Sequence, residues 1–400
     1  MEEKTTMVDF AERTRAMKPS AIRALLALTA KPDITSFAGG LPAKELFPVA
    51  DFKAAVDAVM DEAGPTALQY GQTDGWAPLR QQIADRMFAK NNIKCEASDI
   101  LLTAGSQQGL DFCGRIFVNP GDTVIMEAPS YLGAINAFNT SEPNYVEIPT
   151  DDGGMIMEEL EKTLASTKNV KLIYVIPDFQ NPTGRTWSLE RRKKFMEIVN
   201  KYEIPVVEDN PYGELRYSGE YQPALKSLDT KGLVIYLGTM SKILAPGVRV
   251  GWICACHEYL EKFNLLAQAA VLQTSTFGAM ACSKYIEMFD LDAHVEECRR
   301  VYAKRCALMV ESMEKYFPEE IKFTHPDGGL FTWADCPSYI NTTEMANACL
   351  EKKVAYVPGD GFFPNGGNSH CLRLNYSCSS EEQIVNGIKI IGDVMKSYIK

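Results

Sequence analysis

The run Leu233-Val234-Ile235-Tyr236-Leu237, leading straight into Gly238-Thr239-Met240-Ser241-Lys242-Ile243-Leu244-Ala245-Pro246-Gly247-Val248-Arg249-Val250-Gly251-Trp252, decides how this chain folds. Consecutive apolar residues make a strand hydrophobic on both faces, so the strand belongs inside a sheet covered on each side. The same signature recurs along the chain. Ile100-Leu101-Leu102-Thr103-Ala104 is followed by helical spacing over 107–117, and Thr123-Val124-Ile125-Met126-Glu127-Ala128 follows the turn Asn119-Pro120-Gly121-Asp122. Leu172-Ile173-Tyr174-Val175-Ile176 precedes a helix over 189–202, while Pro205-Val206-Val207-Glu208-Asp209 and a strand over 248–255 complete the series. Short apolar runs alternating with helices predict an α/β protein with a mainly parallel, helix-covered sheet. Polar residues just past the strand ends are then the expected site builders.

The last part of the chain reads differently. A long helical stretch over 291–316 leads to strands near 330–333, 354–357 and 371–375, with helices near 343–352 and 381–398. These predict a second, smaller α/β unit of about a hundred residues. The expected division is an N-terminal segment over 1–50, packing near the active site and the small domain, then a large domain over 51–290 and a small C-terminal domain over 291–400. No linker rich in Pro, Gly or Ser separates the parts, so a helix is expected to join them.

Composition narrows the partners. A chain that is 46% hydrophobic and 23% charged is an ordinary globular protein. A net charge of -11 opposes a nucleic-acid surface, which needs clustered Lys and Arg to neutralise phosphates. The 11 cysteines are odd in number and follow no framework, which predicts reduced thiols in a cytoplasmic protein. His257, His294, His325 and His370 lack zinc-like spacing, so no metal is expected. No leader pattern opens the chain and no apolar run is long enough to span a bilayer, so neither export nor a membrane partner is expected.

Five segments carry chemistry. Lys242, preceded by the hydroxyls of Thr239 and Ser241 and followed by Arg249, suits a nucleophilic amine beside a phosphate. The hydroxyls can donate to phosphate oxygens, and the arginine can bind them as a planar fork. Alone, Ser-Lys would be a surface turn. In Pro177-Asp178-Phe179-Gln180-Asn181-Pro182-Thr183-Gly184 a tight turn presents the amide of Asn181, although a plain turn would look the same. Val206-Val207-Glu208-Asp209-Asn210-Pro211-Tyr212-Gly213 ends an apolar strand on Asp209, an acid costly to bury without a partner; its plain alternative is a cap. Thr103-Ala104-Gly105-Ser106-Gln107-Gln108 is a strand-to-helix turn whose N–H groups and helix dipole can hold an anion, with Ser106 and Gln107 as candidates. Leu372-Arg373-Leu374-Asn375 directs Arg373 to one face of a strand, which is the site itself or a solvated edge.

Taken together and in this order, over nearly the whole chain from about Ser20, these segments resemble the fold-type I pyridoxal-phosphate aminotransferases (class I/II). The likeness is greatest to the subgroup containing 2-aminoadipate and kynurenine aminotransferases. The resemblance implies pyridoxal 5′-phosphate as cofactor, with Lys242 as its covalent anchor and proton carrier and Asp209 as partner of the protonated ring nitrogen. It gives Asn181 and Tyr212 to the cofactor's 3-oxygen, Asn181 also lying near the substrate carboxylate, and Tyr131 to the face of the ring. Ser106, Gln107, Thr239, Ser241 and Arg249 become the phosphate cup, and Tyr70 reaches the phosphate of a neighbouring subunit in a homodimer with shared sites. Arg373 grips the substrate α-carboxylate. Gly40, in Ser36-Phe37-Ala38-Gly39-Gly40-Leu41-Pro42, contacts substrate, and Arg23 either meets a distal carboxylate or sits on the wet face of its helix.

The implied reaction moves an amino group from an L-amino acid to a 2-oxo acid, with 2-oxoglutarate the expected acceptor, by a ping-pong route. A β-lyase or decarboxylase would use the same shared residues. An aminotransferase-like regulator would need a DNA-binding domain, for which the roughly twenty residues before the match are too few. A cofactor-free binding protein is opposed by the intact Lys242, Asp209 and Arg373. The amino acid itself stays open, since loops build the side-chain pocket.

Overall fold

The computed structural model describes residues 9–14 and 33–399. Arg23 lies outside them.

Among the described residues fourteen strands follow one another as β1 (Thr35–Ser36), β2 (Ile100–Thr103), β3 (Thr123–Ala128), β4 (Asn144–Asp151), β5 (Gly154–Met155), β6 (Val170–Val175), β7 (Val206–Asp209), β8 (Val234–Thr239), β9 (Gly251–Cys254), β10 (Lys322–Phe323), β11 (Phe331–Asp335), β12 (Val354–Ala355), β13 (Val357–Pro358) and β14 (Cys371–Asn375). Eight form one sheet in the order β2-β9-β8-β7-β6-β3-β4-β5. From β8 through β7, β6 and β3 to β4 all neighbours run parallel. Only β5 and β9 run against their neighbours; since β9 is antiparallel to both β2 and β8, β2 points the same way as the parallel block. The apolar runs read from the sequence become strands of this sheet, and β2, β7 and β8 are buried along their whole length, as a sheet covered on both faces requires.

Helices cover the sheet. They are α1 (Val49–Ala67), α2 (Ala77–Asn91), α3 (Ser106–Phe117), α4 (Leu132–Phe138), α5 (Met157–Ser166), α6 (Leu189–Tyr202), α7 (Leu225–Leu228), α8 (His257–Ala270) and α9 (Thr276–Met288). One core gathers Leu101, Leu110, Phe138, Val207, Leu237 and Phe263 between the sheet and α3, α4 and α8. Another gathers Ile173, Phe195, Val199, Val206 and Val234 on the opposite face, under α5 and α6. Local signals set the helix ends. Ser188 caps α6 by accepting from the Arg191 N–H, as a hydroxyl at that position does.

Past the sheet, α10 (Leu291–Tyr316) leads to α11 (Thr342–Glu351) and α12 (Glu381–Lys396), which accompany a four-stranded sheet in the order β10-β11-β14-β13. Phe37, Met309, Met313, Leu372, Leu374, Ile388 and Ile391 share its core. Two expectations need correction here. The run 354–357 is two short strands rather than one: β12 pairs with β1 and β13 with β14, the chain changing sheets at Tyr356. The strand expected over 248–255 begins only at Gly251, because Arg249 takes a left-handed conformation (φ 53°) that breaks an extended chain.

Candidate active site

The residues singled out from the sequence gather at the ends of the parallel strands. Ser106 follows β2, Tyr131 follows β3, Asn181 follows β6, Asp209 closes β7, and Lys242 follows β8. Chain direction explains this: in a parallel sheet every strand delivers its last residue to the same edge. The smaller sheet supplies Arg373 from β14.

Asp209 is 1% exposed. Its Oδ2 accepts a 2.9 Å hydrogen bond from the Tyr174 hydroxyl, while Oδ1 is buried without a hydrogen-bond partner among the described residues. Burial pushes the carboxyl up to about 7, against the pull of the Tyr174 hydrogen bond and the Lys242 charge. Lys242 moves the other way. Burial pulls its amine down to about 8, a drop that the Cys378 thiol opposes and the Arg373 and Arg249 charges assist. The Lys242 Nζ donates to the Gly40 carbonyl at 2.8 Å and stands 5.9 Å from the centre of the Tyr212 ring.

Arg373 is 2% exposed, with its guanidinium 4.3 Å from the Phe331 ring centre and 5.1 Å from that of Phe362. It donates to Asn181 Oδ1 at 2.9 Å and to the Ala38 carbonyl at 2.7 Å, leaving Nε without a partner among the described residues. Burial lowers its pKa to about 10, a value at which it is still a cation. Tyr212 lies close enough to Asn181 and Arg373 to feel both, and burial raises its phenol. The turn that presents Asn181 is anchored from behind: Asp178 is paired with the buried Arg192 of α6 at 2.7 Å. Tyr131 feels burial first, then the charges of Asp209, Arg373 and Arg249, which puts it among all three.

Beside the lysine two turns press together. Gly105 has φ +84°, and a Cβ there would sit 2.5 Å from Arg249 Nη2. Gly251 pairs with Thr103 on one side and Thr239 on the other, and a Cβ on it would lie 2.7 Å from Gly105 and 2.8 Å from the Ser106 nitrogen. The Thr239 hydroxyl lies 2.9 Å from that of Ser241, and Gln107 donates to the Gly133 carbonyl at 2.8 Å. Hydroxyls, a guanidinium and first-turn N–H groups that the helix ladder does not use make a cradle for a dianion.

Tyr70 stands apart. It is 77% exposed and lines a surface cavity of about 510 Å³ with Gln69, Gln72, Trp76, Thr274 and Ser275, none of which belongs to the group around Lys242. Tyr174, by contrast, is a member that the sequence reading missed. Its signal was a single polar aromatic in the aliphatic run of β6. The aromatic floor under Arg373 left no such signal, because Phe331 and Phe362 come from distant loops and strands.

The residues fit pyridoxal phosphate. The unpaired, buried Oδ1 of Asp209 is matched to a protonated ring nitrogen, the depressed amine of Lys242 to an aldehyde, and the Gly105–Gly251 cradle to a phosphate. Fold and site together define a fold-type I pyridoxal-phosphate enzyme. The family model described as aminotransferase class I and II matches residues 43–391, and the chain belongs to that family. It is 44% identical over 395 residues to the aromatic-amino-acid aminotransferase 1 of Thermococcus litoralis, covering 98% of this chain and 95% of that one. To the 2-aminoadipate transaminase of Thermus thermophilus it is 37% identical, covering 98% and 97%. Its structure superposes with a TM-score of 0.94 on Pyrococcus horikoshii kynurenine aminotransferase, solved in complex with PMP, at 41% identity and 98% coverage of both chains. The protein is a pyridoxal-phosphate-dependent aminotransferase.

Proposed function

We propose that the enzyme takes the amino group of an aromatic L-amino acid or of 2-aminoadipate and gives it to a 2-oxo acid, with 2-oxoglutarate as acceptor, in a ping-pong cycle. The relatives named above, acting on aromatic amino acids, kynurenine and 2-aminoadipate, support this donor range. One observation carries the assignment of roles. A buried amine, an unpaired carboxylate oxygen and a buried guanidinium share one site, the amine and the carboxyl each shifted by the other's charge.

When bound, the cofactor supplies an electron sink conjugated to the substrate's α-carbon. Asp209 holds the proton on the ring nitrogen. Asn181 and Tyr212 orient the 3-oxygen, Tyr131 covers the ring face, and Ser106, Gln107, Thr239, Ser241 and Arg249 hold the phosphate. Arg373 binds the α-carboxylate as a fork, with Gly40 beside it. A lysine amine with a pKa of about 8 is partly neutral near neutral pH, so Lys242 Nζ can remove the α-proton and later return it.

Around the Tyr70 cleft, Leu68, Val271 and Leu272 are also exposed, an apolar surface that supports a homodimer in which Tyr70 reaches the partner's phosphate site. Among the described residues no helix is long and apolar enough to cross a membrane, and all the cysteines are free thiols, which supports a cytoplasmic setting. For the division of the chain we propose 1–50, 51–290 and 291–400, supported by the pairing of β1 with β12 beside the smaller sheet.

The test is spectral. Each amino acid is added to the holoenzyme, and the cofactor's visible band is followed. Aromatic amino acids and 2-aminoadipate are expected to bleach it and 2-oxoglutarate to restore it, while Lys242→Ala removes both responses. Release of ammonia with no recovery by any 2-oxo acid would replace transfer with elimination.

A further inference from the structure

Tyr174 has no part in the roles above, yet among the described residues it is the side chain that hydrogen-bonds the Asp209 carboxyl. The geometry follows from strand periodicity. Residues two apart share a face, and the register Tyr174↔Val207 between β6 and β7 sets Asp209 diagonally across from Tyr174 on that face. The tyrosine is 0% exposed, and the Phe138 ring holds it edge-on at 5.7 Å and 76°. Its phenol is pushed well above the ordinary range by burial, with the nearby Asp209 charge adding to the effect, so it remains a donor at any working pH.

Asp209 would behave differently without this contact. A buried carboxyl with two unpartnered oxygens is free to turn about its last bond and to stay neutral by keeping a proton. A donor on Oδ2 removes the rotation and favours the charged form, since hydrogen bonds to ionised acceptors are the strong ones. What is left is one fixed, unshared oxygen, Oδ1.

We propose that Tyr174 is the positioning residue of the site: by holding Oδ2 of Asp209 it presents Oδ1, ionised and in one orientation, to the cofactor's ring nitrogen. The proposal rests on the reading of Asp209 as that nitrogen's partner.

Tyr174→Phe tests it while keeping the ring and its packing. In cofactor-free protein carrying carbon-13 in its aspartate side chains, Asp209→Asn identifies the Asp209 signal. Tyr174→Phe is expected to move that signal's titration midpoint to higher pH by about one unit. Cofactor affinity, measured by fluorescence, should weaken roughly tenfold, and in the holoenzyme kcat should fall while KM for the amino acid holds. A merely structural tyrosine would lower the melting temperature and leave the midpoint alone, so an unmoved midpoint overturns the proposal. Wild-type cofactor affinity in Asp209→Asn would instead overturn the role of Asp209 itself.

Discussion

Arg373 holds two protein acceptors, Asn181 Oδ1 and the Ala38 carbonyl, and still has Nε to spare. A lysine in its place keeps the charge but loses the planar fork that matches a carboxylate. Arg373→Lys is therefore expected to raise KM for the amino donor on the order of a hundredfold, within the cost of spoiling a buried charge pair. Its cofactor band and cofactor affinity should stay near wild type, as steady-state kinetics beside an absorbance titration will read. An equal loss in both would move Arg373 from the substrate to the cofactor. The type of residue and its strand were legible in Leu372-Arg373-Leu374. Its partners were not, because Ala38 lies 335 residues away in the chain.

At the scale of elements, β9 is the piece that joins the two anion-binding turns. It runs against its neighbours, so its first residue, Gly251, arrives at the edge where β2 and β8 end. The left-handed turn at Arg249 makes that reversal possible and swings the guanidinium toward Gly105, where it donates to the Ala104 carbonyl at 2.5 Å. Gly251→Ala would force a methyl group against backbone atoms of Gly105 and Ser106, which cannot rotate aside. Overpacking of this kind costs about 1–3 kcal/mol. Part of it should appear as a lower melting temperature of the cofactor-free protein and part as weaker phosphate-dependent cofactor binding. Unchanged cofactor affinity would show that the turns do not act as one unit.

At the scale of the whole molecule, the described residues include three fully buried carboxyls whose pKa burial raises to about 7: Glu127, Glu208 and Asp209. Glu127 accepts from the Trp187 indole at 3.1 Å, and Glu208 accepts two backbone N–H groups at the start of α7. Their folded-state values lie above those of the unfolded chain, so the fold retains protons that the unfolded chain releases. This contribution to stability is complete below the unfolded values and is lost as pH rises through about 7. The urea midpoint of the cofactor-free protein should accordingly fall between about pH 5 and 7.5, with a shallower slope in Glu127→Gln. A midpoint that rises across that window would contradict the burial of these groups.

The sequence by itself determined the α/β class, the identity of the apolar strands and the chemistry-bearing residue types, because hydrophobic periodicity and strand-end turns are local properties of the chain. It could not reveal that β9 is reversed, that residues 354–357 divide between two sheets, or that Tyr174 meets Asp209. Those depend on which strands become neighbours and in what register. Tertiary structure also decided the proton affinities. Lys242 and Asp209 carry their ordinary values in an unfolded chain, and only exclusion of water around both brings the amine down and the carboxyl up to adjacent values.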